Sequence, residues 1–493
     1  MAASQVTTQN PSPFSDFLTS RAAAGYRVAG AVDFRNLLGA FLSAAERAID
    51  GAAIVAGVYG AYALYCLLGL GSQVRYSAST VMLYGAGFAL LFVLLLERHG
   101  GYRPYVGLLA VRDTERILRV TVESFLLAPL AAYFAMERVP RLFGLLALVT
   151  VPVAVIFAKW ETRRALHILR ARGYGSRKAV IVGADTQGRR IYSALARSPK
   201  FGLEPVAFVD DDPQKTGLEI YESSYQRRRA ARVFPGPLCS ELLRELDASV
   251  LVLAAPGADR EVMARVAASA GVDLYCVRED FSEPGLWIDY AEFDGITLAH
   301  FSRGQVRVAG DMAKRAIDLT ASAALLVLFV PLFALIALLV KKTSPGPVFF
   351  RQGRVGRDGR LFSICKFRTM YRDAPQYSYS PGAGDDPRVT PVGRFLRRTS
   401  WDELPQLVNV LLGHMSLVGP RPEMPFIVAQ YTPLQRRRLS VKPGITGLWQ
   451  LSADRAFLIH ENIEYDLYYV RYRSVFMDLA ILLHTVLFAG RGT

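Results

Sequence analysis

Two adjacent acids, Asp402 and Glu403, stand among basic residues in the C-terminal third of the chain. A pair of arginines, Arg397 and Arg398, precedes them, and Arg421 follows between two prolines. An aspartate that is kept ionised with cations nearby can act as a nucleophile or as a metal ligand. Arginines bind phosphate oxygens in bidentate fashion, and phosphoryl transfer depends mainly on positioning and charge neutralisation. These residue types therefore indicate phosphoryl-transfer chemistry.

The direction of the Asp402 and Glu403 side chains depends on the local backbone structure. Ser400 and Glu403 form the pattern S-x-x-E in front of apolar residues at helical spacing, which predicts a capping box and the start of a helix. Both acids would then lie in the first helical turn, where free N–H groups and the helix dipole favour negative charge. In the alternative interpretation Glu403 only caps the helix and Asp402 only complements its dipole.

Four motifs distinguish between these interpretations. They are KRAIDLT (314–320), KFRTM (366–370), DELPQLVNVLLGHMSLVGPRP (402–422) and KPGITGLWQ (442–450). Through these motifs residues 306–493 closely resemble the bacterial sugar transferases, which are polyprenyl-phosphate hexose-1-phosphate transferases. The rest of the chain more loosely resembles the long members of that family. The resemblance favours a catalytic role for the two acids.

The resemblance implies a two-step reaction. Asp402 would attack the β-phosphate of a UDP-sugar and release UMP, and the aspartyl sugar-phosphate would pass to polyprenyl (undecaprenyl) phosphate. Glu403 would help with Mg²⁺, for which Asp402 and Glu403 are the candidate ligands, or with proton handling. Four further residues would bind phosphates: Lys366, Arg368, Arg397 and Arg421. Gly444 and Gly447 would shape a loop that closes the site.

The composition indicates a membrane protein. Of the 493 residues, 52% are hydrophobic, and the formal net charge is +15. A basic chain with long apolar segments suits anionic lipid and phosphate ligands, and these segments argue against nucleic acid as a partner. The cysteines show no C-x-x-C spacing, which favours reduced thiols in a cytosolic setting over zinc or a disulfide framework. The polar N-terminal stretch lacks the apolar core of a signal peptide.

Four apolar runs, at about 52–70, 78–96, 120–136 and 142–158, predict a four-helix transmembrane bundle over residues 49–158. Basic residues cluster before the first run, between the second and the third, and after the fourth. By the positive-inside rule both ends of the bundle are cytoplasmic, and residues 1–48 form a cytoplasmic tail.

Residues 178–280 alternate between apolar strands and helices, which predicts a Rossmann-like α/β domain with a parallel sheet. A dinucleotide site requires the glycine pattern G-x-G-x-x-G after the first strand. Gly183 and Gly188 are present, but Asp185 stands where the middle glycine belongs and would crowd and repel a pyrophosphate. Asp210 stands near the expected distance for a ribose contact. We therefore favour a structural or regulatory domain over an NAD site.

The C-terminal unit, residues 306–493, contains an apolar run at 319–340 that basic residues flank on both sides. Pro331 lies in its middle and must break or kink a helix. An ordinary fifth span and a re-entrant helix on the cytoplasmic face both agree with this run, and the resemblance favours the re-entrant helix. The family often has serine before that proline, where this chain has Val330.

Three further segments complete this unit. Asp358 and Gly359 predict a hairpin turn between two strands, and residues 374–387 are predicted to form a loop. The apolar segment 475–490 is short for a span and is predicted to lie in the membrane interface.

The sequence as a whole predicts a mixed membrane protein: a four-helix bundle, a Rossmann-like domain and a monotopic α/β catalytic domain with a re-entrant helix. The resemblance implies the first membrane step of exopolysaccharide or O-antigen synthesis. It places the protein in the bacterial inner membrane with the catalytic domain on the cytoplasmic face. The implied partners are a UDP-sugar, undecaprenyl phosphate and the lipid bilayer.

Two alternatives from other classes stay open. A membrane-anchored NAD-dependent nucleotide-sugar epimerase or dehydratase would need a Tyr-x-x-x-Lys pair near residues 178–280, where none is evident. A non-enzymatic membrane scaffold would leave the matched motifs unexplained. The sugar also stays open, with glucose or galactose preferred over an N-acetylated hexose. So does the oligomeric state, for which a homodimer is one alternative.

Overall fold

The computed structural model describes residues 34–70, 74–102, 110–134, 139–171, 176–197, 202–222, 229–255, 257–276, 286–293, 296–303, 308–372, 386–451 and 463–488. Its N-terminal part consists of four helices: α1 (Phe34–Leu68), α2 (Ala78–Arg98), α3 (Ala110–Phe134) and α4 (Arg141–Ala171). Helix α1 begins within the segment 1–48 that was predicted as a tail, and residues 1–33 of that segment lie outside the described residues.

The four helices pack around one apolar core. Each contributes at least one side chain that is fully buried: Ile54, Phe92, Val120 and Val151. Apolar side chains also cover the outer surface, where Leu67 is 81% and Leu83 is 70% exposed. A helix that is apolar on both its inner and outer faces is expected in a bilayer.

Within the described part of the chain, three helical segments are long and apolar enough to cross a membrane: Ser43–Leu68, Ala78–Arg98 and Arg141–Leu166. Helix α3 is not among them. The predicted apolar run at 120–136 forms only its C-terminal half, and its N-terminal half has the charged sequence AVRDTERILR. The helices fit a membrane bundle in which α3 differs from its three neighbours.

The α/β domain follows the bundle. Its elements are β1 (Arg177–Val182), α5 (Thr186–Arg197), β2 (Leu203–Asp210), β3 (Glu219–Glu222), β4 (Arg229–Pro235), α6 (Ser240–Glu245), β5 (Val250–Leu253), α7 (Arg260–Ala270) and β6 (Asp273–Cys276). The sheet order is β3-β4-β2-β1-β5-β6. All neighbouring strands are parallel except the edge pair β3–β4. This topology confirms the predicted Rossmann-like domain.

A hairpin in the linker and then the first two helices of the C-terminal unit follow this domain. A hairpin of β7 (Leu286–Phe293) and β8 (Ile296–Arg303) occupies the linker. Helices α8 (Val308–Leu328) and α9 (Val330–Thr343) follow and are bent by 61° relative to each other. Pro331 lies in the first turn of α9, so the break occurs where the proline predicts it. Apolar side chains at the bend, among them Leu328 and Val330, are exposed.

The C-terminal unit contains ten more elements. They are β9 (Phe349–Val355), β10 (Leu361–Phe367), α10 (Pro391–Thr399), α11 (Gln406–Leu411), β11 (Ser416–Val418), α12 (Pro425–Ala429), α13 (Pro433–Arg436), β12 (Gly444–Thr446), α14 (Glu464–Tyr472) and α15 (Val475–Phe488). Strands β9 and β10 form the predicted hairpin, with Asp358 (φ 56°) and Gly359 (φ 78°) in its turn. Most of the predicted loop 374–387 lies outside the described residues.

The charged half of α3 packs against α15 rather than facing lipid. Thr114 Oγ1 lies 2.9 Å from His484 Nε2, and Ser474 Oγ donates to Glu115 Oε1 at 2.8 Å. Val111 belongs to the same buried apolar cluster as Met477 of α15. These contacts explain why α3 carries charges that a lipid-facing span would exclude.

Candidate active site

The two acids lie in a 3-10 turn between two helices. Ser400 adopts a left-handed conformation (φ 57°) that ends α10, and its side chain forms no capping bond. The turn spans Trp401–Glu403, and α11 begins only at Gln406. The predicted capping box is therefore wrong. The Glu403 carboxylate instead binds cations from other segments, and such charge-assisted bonds are stronger than a cap on its own backbone.

Glu403 holds two cations in place. Lys366, at the end of β10, donates from Nζ to Glu403 Oε1 at 2.7 Å, and Arg421 Nη2 lies 3.4 Å from the same oxygen. Gln406, which is 2% exposed, lines the same pocket as Glu403. Burial would raise the pKa of Glu403, but Lys366 and Arg421 outweigh it and lower that pKa to about 2. Glu403 is therefore ionised throughout the neutral range.

Asp402 has a different environment. It is 9% exposed, and among the described residues its carboxylate forms no hydrogen bond. Burial, opposed by Lys366 and reinforced by the adjacent Glu403 charge, raises the pKa of Asp402 to about 6. At neutral pH most of the Asp402 population is the carboxylate, the form that attacks an electrophile. One acid of the pair is thus held by cations, and the other keeps its oxygens for a ligand.

Arg397 and Arg368 were both predicted to bind phosphate, but their hydrogen-bond partners differ in kind. Arg397 is half-buried on α10, and its Nε donates to Thr369 Oγ1 at 2.9 Å. Arg368 donates from its two terminal nitrogens to the carbonyls of Pro345 and Ser344, each at 2.7 Å. It thereby fastens the C-terminal end of α9 to β10. This geometry favours a positioning role for Arg368 over phosphate binding, whereas the phosphate role of Arg397 stays a prediction.

The KRAID segment fastens the other helix of the bent pair to the same unit. Lys314 Nζ donates to the Val418 carbonyl at 3.0 Å and to Asp478 Oδ2 at 2.8 Å. Asp318 Oδ1 accepts from the Leu417 N–H at 3.0 Å. Arg315 donates to two carbonyls at the end of α11. Helix α8 is therefore bound directly to the segments that flank the two acids.

The loop that carries Arg421 is held by the pairing of β11 with β12. Gly419 N donates to Thr446 O, and Gly444 N donates to Pro420 O, both at 2.9 Å. The strands approach so closely that a Cβ on Gly444 would lie 2.0 Å from Gly419 N. The glycines predicted to shape a loop therefore act by close backbone approach. A small pocket beside them is lined by Arg354, Lys366, Glu403, Gln406, Arg421 and Gly444, among others.

The residues present fit Mg²⁺ held by few protein ligands. Mg²⁺ at phosphate-binding sites takes one or two carboxylates and completes its octahedron with water and substrate phosphate oxygens. Asp402 would supply one carboxylate, and Glu403, whose Oε1 accepts from Lys366 and Arg421, would supply a second through Oε2. Clusters of three or more His, Cys, Asp or Glu side chains that could hold a metal do not occur in the described part of the chain. Asp402 and Glu403 would thus hold an ion that supplies positive charge to substrate phosphate oxygens.

Sequence reasoning missed several residues that shape the site. Gln406 is buried and lines the pocket beside Glu403, and Asn409 joins α11 to β10 by accepting from Cys365 N at 3.0 Å and donating to Ser363 O at 2.7 Å. Both lie inside the DELPQLVN motif and are buried beside Leu407 and Val410, so the motif itself was the available signal. Arg438 is 2% exposed and lay within a run of three arginines that is indistinguishable in sequence from a solvated surface.

Comparison with known proteins identifies the family. Residues 309–491, which contain all of the site, match the family described as bacterial sugar transferase. The chain is 32% identical over 326 residues to the UDP-glucose:undecaprenyl-phosphate glucose-1-phosphate transferase of Escherichia coli (strain K12), an alignment that covers 64% of this chain and 68% of that protein. The chain belongs to the bacterial sugar transferase family.

Two further relatives of this sugar transferase are also named as transferases. A UDP-glucose:undecaprenyl-phosphate glucose-1-phosphate transferase of Caulobacter vibrioides is 45% identical over 190 residues, covering 36% of this chain and 70% of that protein. A UDP-galactose-lipid carrier transferase of Erwinia amylovora is 26% identical over 397 residues, covering 72% of this chain and 80% of that protein. Residues 97–231 also match the family described as CoA-binding domain.

The match to the CoA-binding domain ends inside the α/β domain. In this domain two acids, Asp210 and Asp185, accept hydrogen bonds from the backbone that follows β1. Ala184 N donates to Asp210 Oδ2 at 2.7 Å, and Lys215 Nζ lies 3.0 Å from the same oxygen. Gly188 N donates to Asp185 Oδ1 at 3.0 Å. Burial would raise the pKa of Asp210, but these bonds outweigh it and lower that pKa. Both acids therefore bind the domain's own backbone where a dinucleotide would lie.

Proposed function

We propose that this sugar transferase moves hexose-1-phosphate from a UDP-sugar to undecaprenyl phosphate and releases UMP. The proposal depends on the buried Asp402 carboxylate, which forms no hydrogen bond to a described residue and adjoins a Glu403 that holds Lys366 and Arg421. Both acids lie in the C-terminal unit, which matches a family of bacterial sugar transferases. The relatives' names support glucose or galactose as the sugar.

In the first step Asp402 attacks the β-phosphorus of the UDP-sugar. A bond forms between a carboxylate oxygen and phosphorus, the bond from phosphorus to the bridging oxygen breaks, and UMP leaves with that oxygen. Lys366 and Arg421 neutralise the phosphate oxygens, as does Arg397 from the other side of the turn. Because Glu403 fixes Lys366 and Arg421 before the substrate arrives, little reorganisation is needed during the reaction.

In the second step an oxygen of polyprenyl phosphate attacks the phosphorus of the aspartyl sugar-phosphate. A new phosphoanhydride bond forms, and Asp402 leaves as the carboxylate. Mg²⁺, held by Asp402 and Glu403, would supply positive charge to the phosphate oxygens. Asp402, whose pKa is raised, is the nucleophile, and Glu403, whose pKa is lowered, fixes Lys366 and Arg421.

We further propose that α8 and α9 form a re-entrant hairpin on the cytoplasmic face of the bacterial inner membrane. Both ends of the bent pair bind one globular unit: Lys314 binds the Val418 carbonyl, and Arg368 binds the Ser344 carbonyl. A spanning helix would place these ends on opposite sides of a hydrocarbon core about 30 Å thick. The bend carries exposed apolar side chains, including Val327, which is 75% exposed, and these suit lipid.

Product analysis tests the function. Full-length protein in detergent or nanodiscs is incubated with undecaprenyl phosphate, Mg²⁺ and one UDP-sugar from a panel of glucose, galactose and their N-acetylated forms. We expect UMP and a polyprenyl-diphosphate sugar as products when the substrate is UDP-glucose or UDP-galactose. Release of UDP would instead identify direct glycosyl transfer. Absence of any product with every member of the panel, together with an NAD-dependent change in the sugar, would favour the epimerase.

A further inference from the structure

The loop around Arg421 is held through four consecutive carbonyl groups. Gly444 N donates to Pro420 O at 2.9 Å, and Arg438 Nη2 donates to Arg421 O at 2.8 Å. Arg354 Nη1 donates to Pro422 O at 3.3 Å, and Val355 N donates to Glu423 O at 3.0 Å. Neither proline has an N–H, so at these positions the carbonyl is the group by which the backbone can be held.

One of these four donors differs from the others because it belongs to a buried ion pair. Arg438 and Asp466 are each 2% exposed, and Arg438 Nη2 lies 2.6 Å from Asp466 Oδ2. The other terminal nitrogen of Arg438 donates to the hydroxyl of Tyr431, which is also buried. The planar guanidinium thus joins a carboxylate from α14, a phenol that follows α12, and the carbonyl of Arg421 itself.

A buried ion pair is weak evidence of a gain in stability, because the cost of desolvating two charges offsets their attraction. A buried ion pair can instead fix one arrangement of the chain. Here the arrangement is the backbone of Arg421, whose side chain lies 3.4 Å from Glu403 in the active site. Lysine could not replace the arginine, since a single ammonium group lacks the rigid fork that reaches three separate acceptors.

We propose that the Arg438–Asp466 pair is a positioning device for Arg421, and that Arg438 supports sugar-phosphate transfer only through that residue. This inference rests on the proposed function and adds Arg438, which forms no ion pair or hydrogen bond with Asp402 or Glu403 and does not line the pocket beside them. Arg438 fixes the direction in which the Arg421 side chain leaves the loop. Arg421 then meets both Glu403 and the substrate phosphate.

A double-mutant cycle separates positioning from general stabilisation. Steady-state kcat/KM for UMP release is measured in the wild type, Arg438→Lys, Arg421→Met and the double variant, with the preferred UDP-sugar and undecaprenyl phosphate. If Arg438 positions Arg421, Arg438→Lys should lower kcat/KM by about tenfold or more when Arg421 is present. In the Arg421→Met background the same substitution should lower kcat/KM by less than about twofold. The exposed neighbour provides the matched control, and Arg436→Lys should change kcat/KM by less than about twofold.

Equal losses in both backgrounds would overturn the inference, and so would an unaffected Arg438→Lys. If Arg438→Lys does not fold, as judged by size-exclusion chromatography, Tyr431→Phe replaces it in the same cycle. That variant should lose about threefold activity in the wild type and none in the Arg421→Met background. A wild type that releases no UMP from any UDP-sugar contradicts the proposed function instead, so the two failures are distinguishable.

Discussion

The charge next to Asp402 should control the pH at which the first half-reaction switches off. With a pKa of about 6, the Asp402 carboxylate is the major form at pH 7 and loses about tenfold in population for each pH unit below 6. The rate of UMP formation should therefore fall tenfold per unit below pH 6 and be level above pH 7. The pKa of Glu403, about 2, keeps that side chain ionised over the whole range.

The acid limb of the pH–rate profile is the range below pH 6 in which the rate falls. Two substitutions should move this limb in opposite directions. Glu403→Gln removes a negative charge that raises the pKa of Asp402, so the limb should move to lower pH. For charges about 6 Å apart at an effective dielectric constant of about 20, Coulomb's law gives about 3 kcal/mol, or about 2 pKa units. Lys366→Met removes a cation that lowers the same pKa, so its limb should move to higher pH by a comparable amount.

The assay is single-turnover UMP formation from the UDP-sugar without lipid, so that neither UMP nor polyprenyl phosphate titrates as a reactant. Both variants will be slower, because both residues belong to the site, but the position of the limb is independent of the absolute rate. The exposed Arg398→Gln provides a control with an unmoved limb. Limbs that stay at pH 6 in both variants, or that move in the same direction, would refute the electrostatic reasoning.

Three further predictions concern the scaffold. In a cysteine-free background, Met312→Cys and Arg360→Cys should both resist an impermeant thiol reagent added outside intact cells, whereas labelling at 360 alone would indicate a fifth span. Asp318→Ala leaves Leu417 N–H without its 3.0 Å acceptor and should destabilise the protein by about 1–3 kcal/mol in thermal unfolding, with the exposed Asp311→Ala as the near-neutral control. The full-length protein should show no NAD(H) binding by calorimetry, because Asp185 and Asp210 bind the turn that a pyrophosphate would need; micromolar binding would contradict this.

The fold was predictable where a periodic pattern determines it. The alternating strands and helices of residues 178–280, the hairpin at Asp358 and the break at Pro331 all follow from local rules of backbone conformation. Helix α3 was harder, because its charged half is explained only by the contacts it makes with α15, far along the chain. Sequence periodicity contains no information on such partners.

The site was predictable as a set of residue types and not as a geometry. The S-x-x-E pattern was misleading, because Glu403 gains more from Lys366 and Arg421 than from capping. Arg368 shows the opposite case, since a motif residue with the right charge donates to backbone carbonyls. In both cases long-range ion pairs and hydrogen bonds outweigh a local preference, and only the folded chain reveals them.

Exchange of labelled UMP into the UDP-sugar tests the covalent mechanism most directly. The first half-reaction needs no lipid, so the wild type should exchange UMP in the absence of polyprenyl phosphate and should require Mg²⁺ to do so. Asp402→Asn should abolish the exchange, because an amide is a far poorer nucleophile and a weaker metal ligand, while the unfolding temperature shows that the variant is folded. Robust exchange that persists in Asp402→Asn would contradict the assignment of Asp402 as the nucleophile.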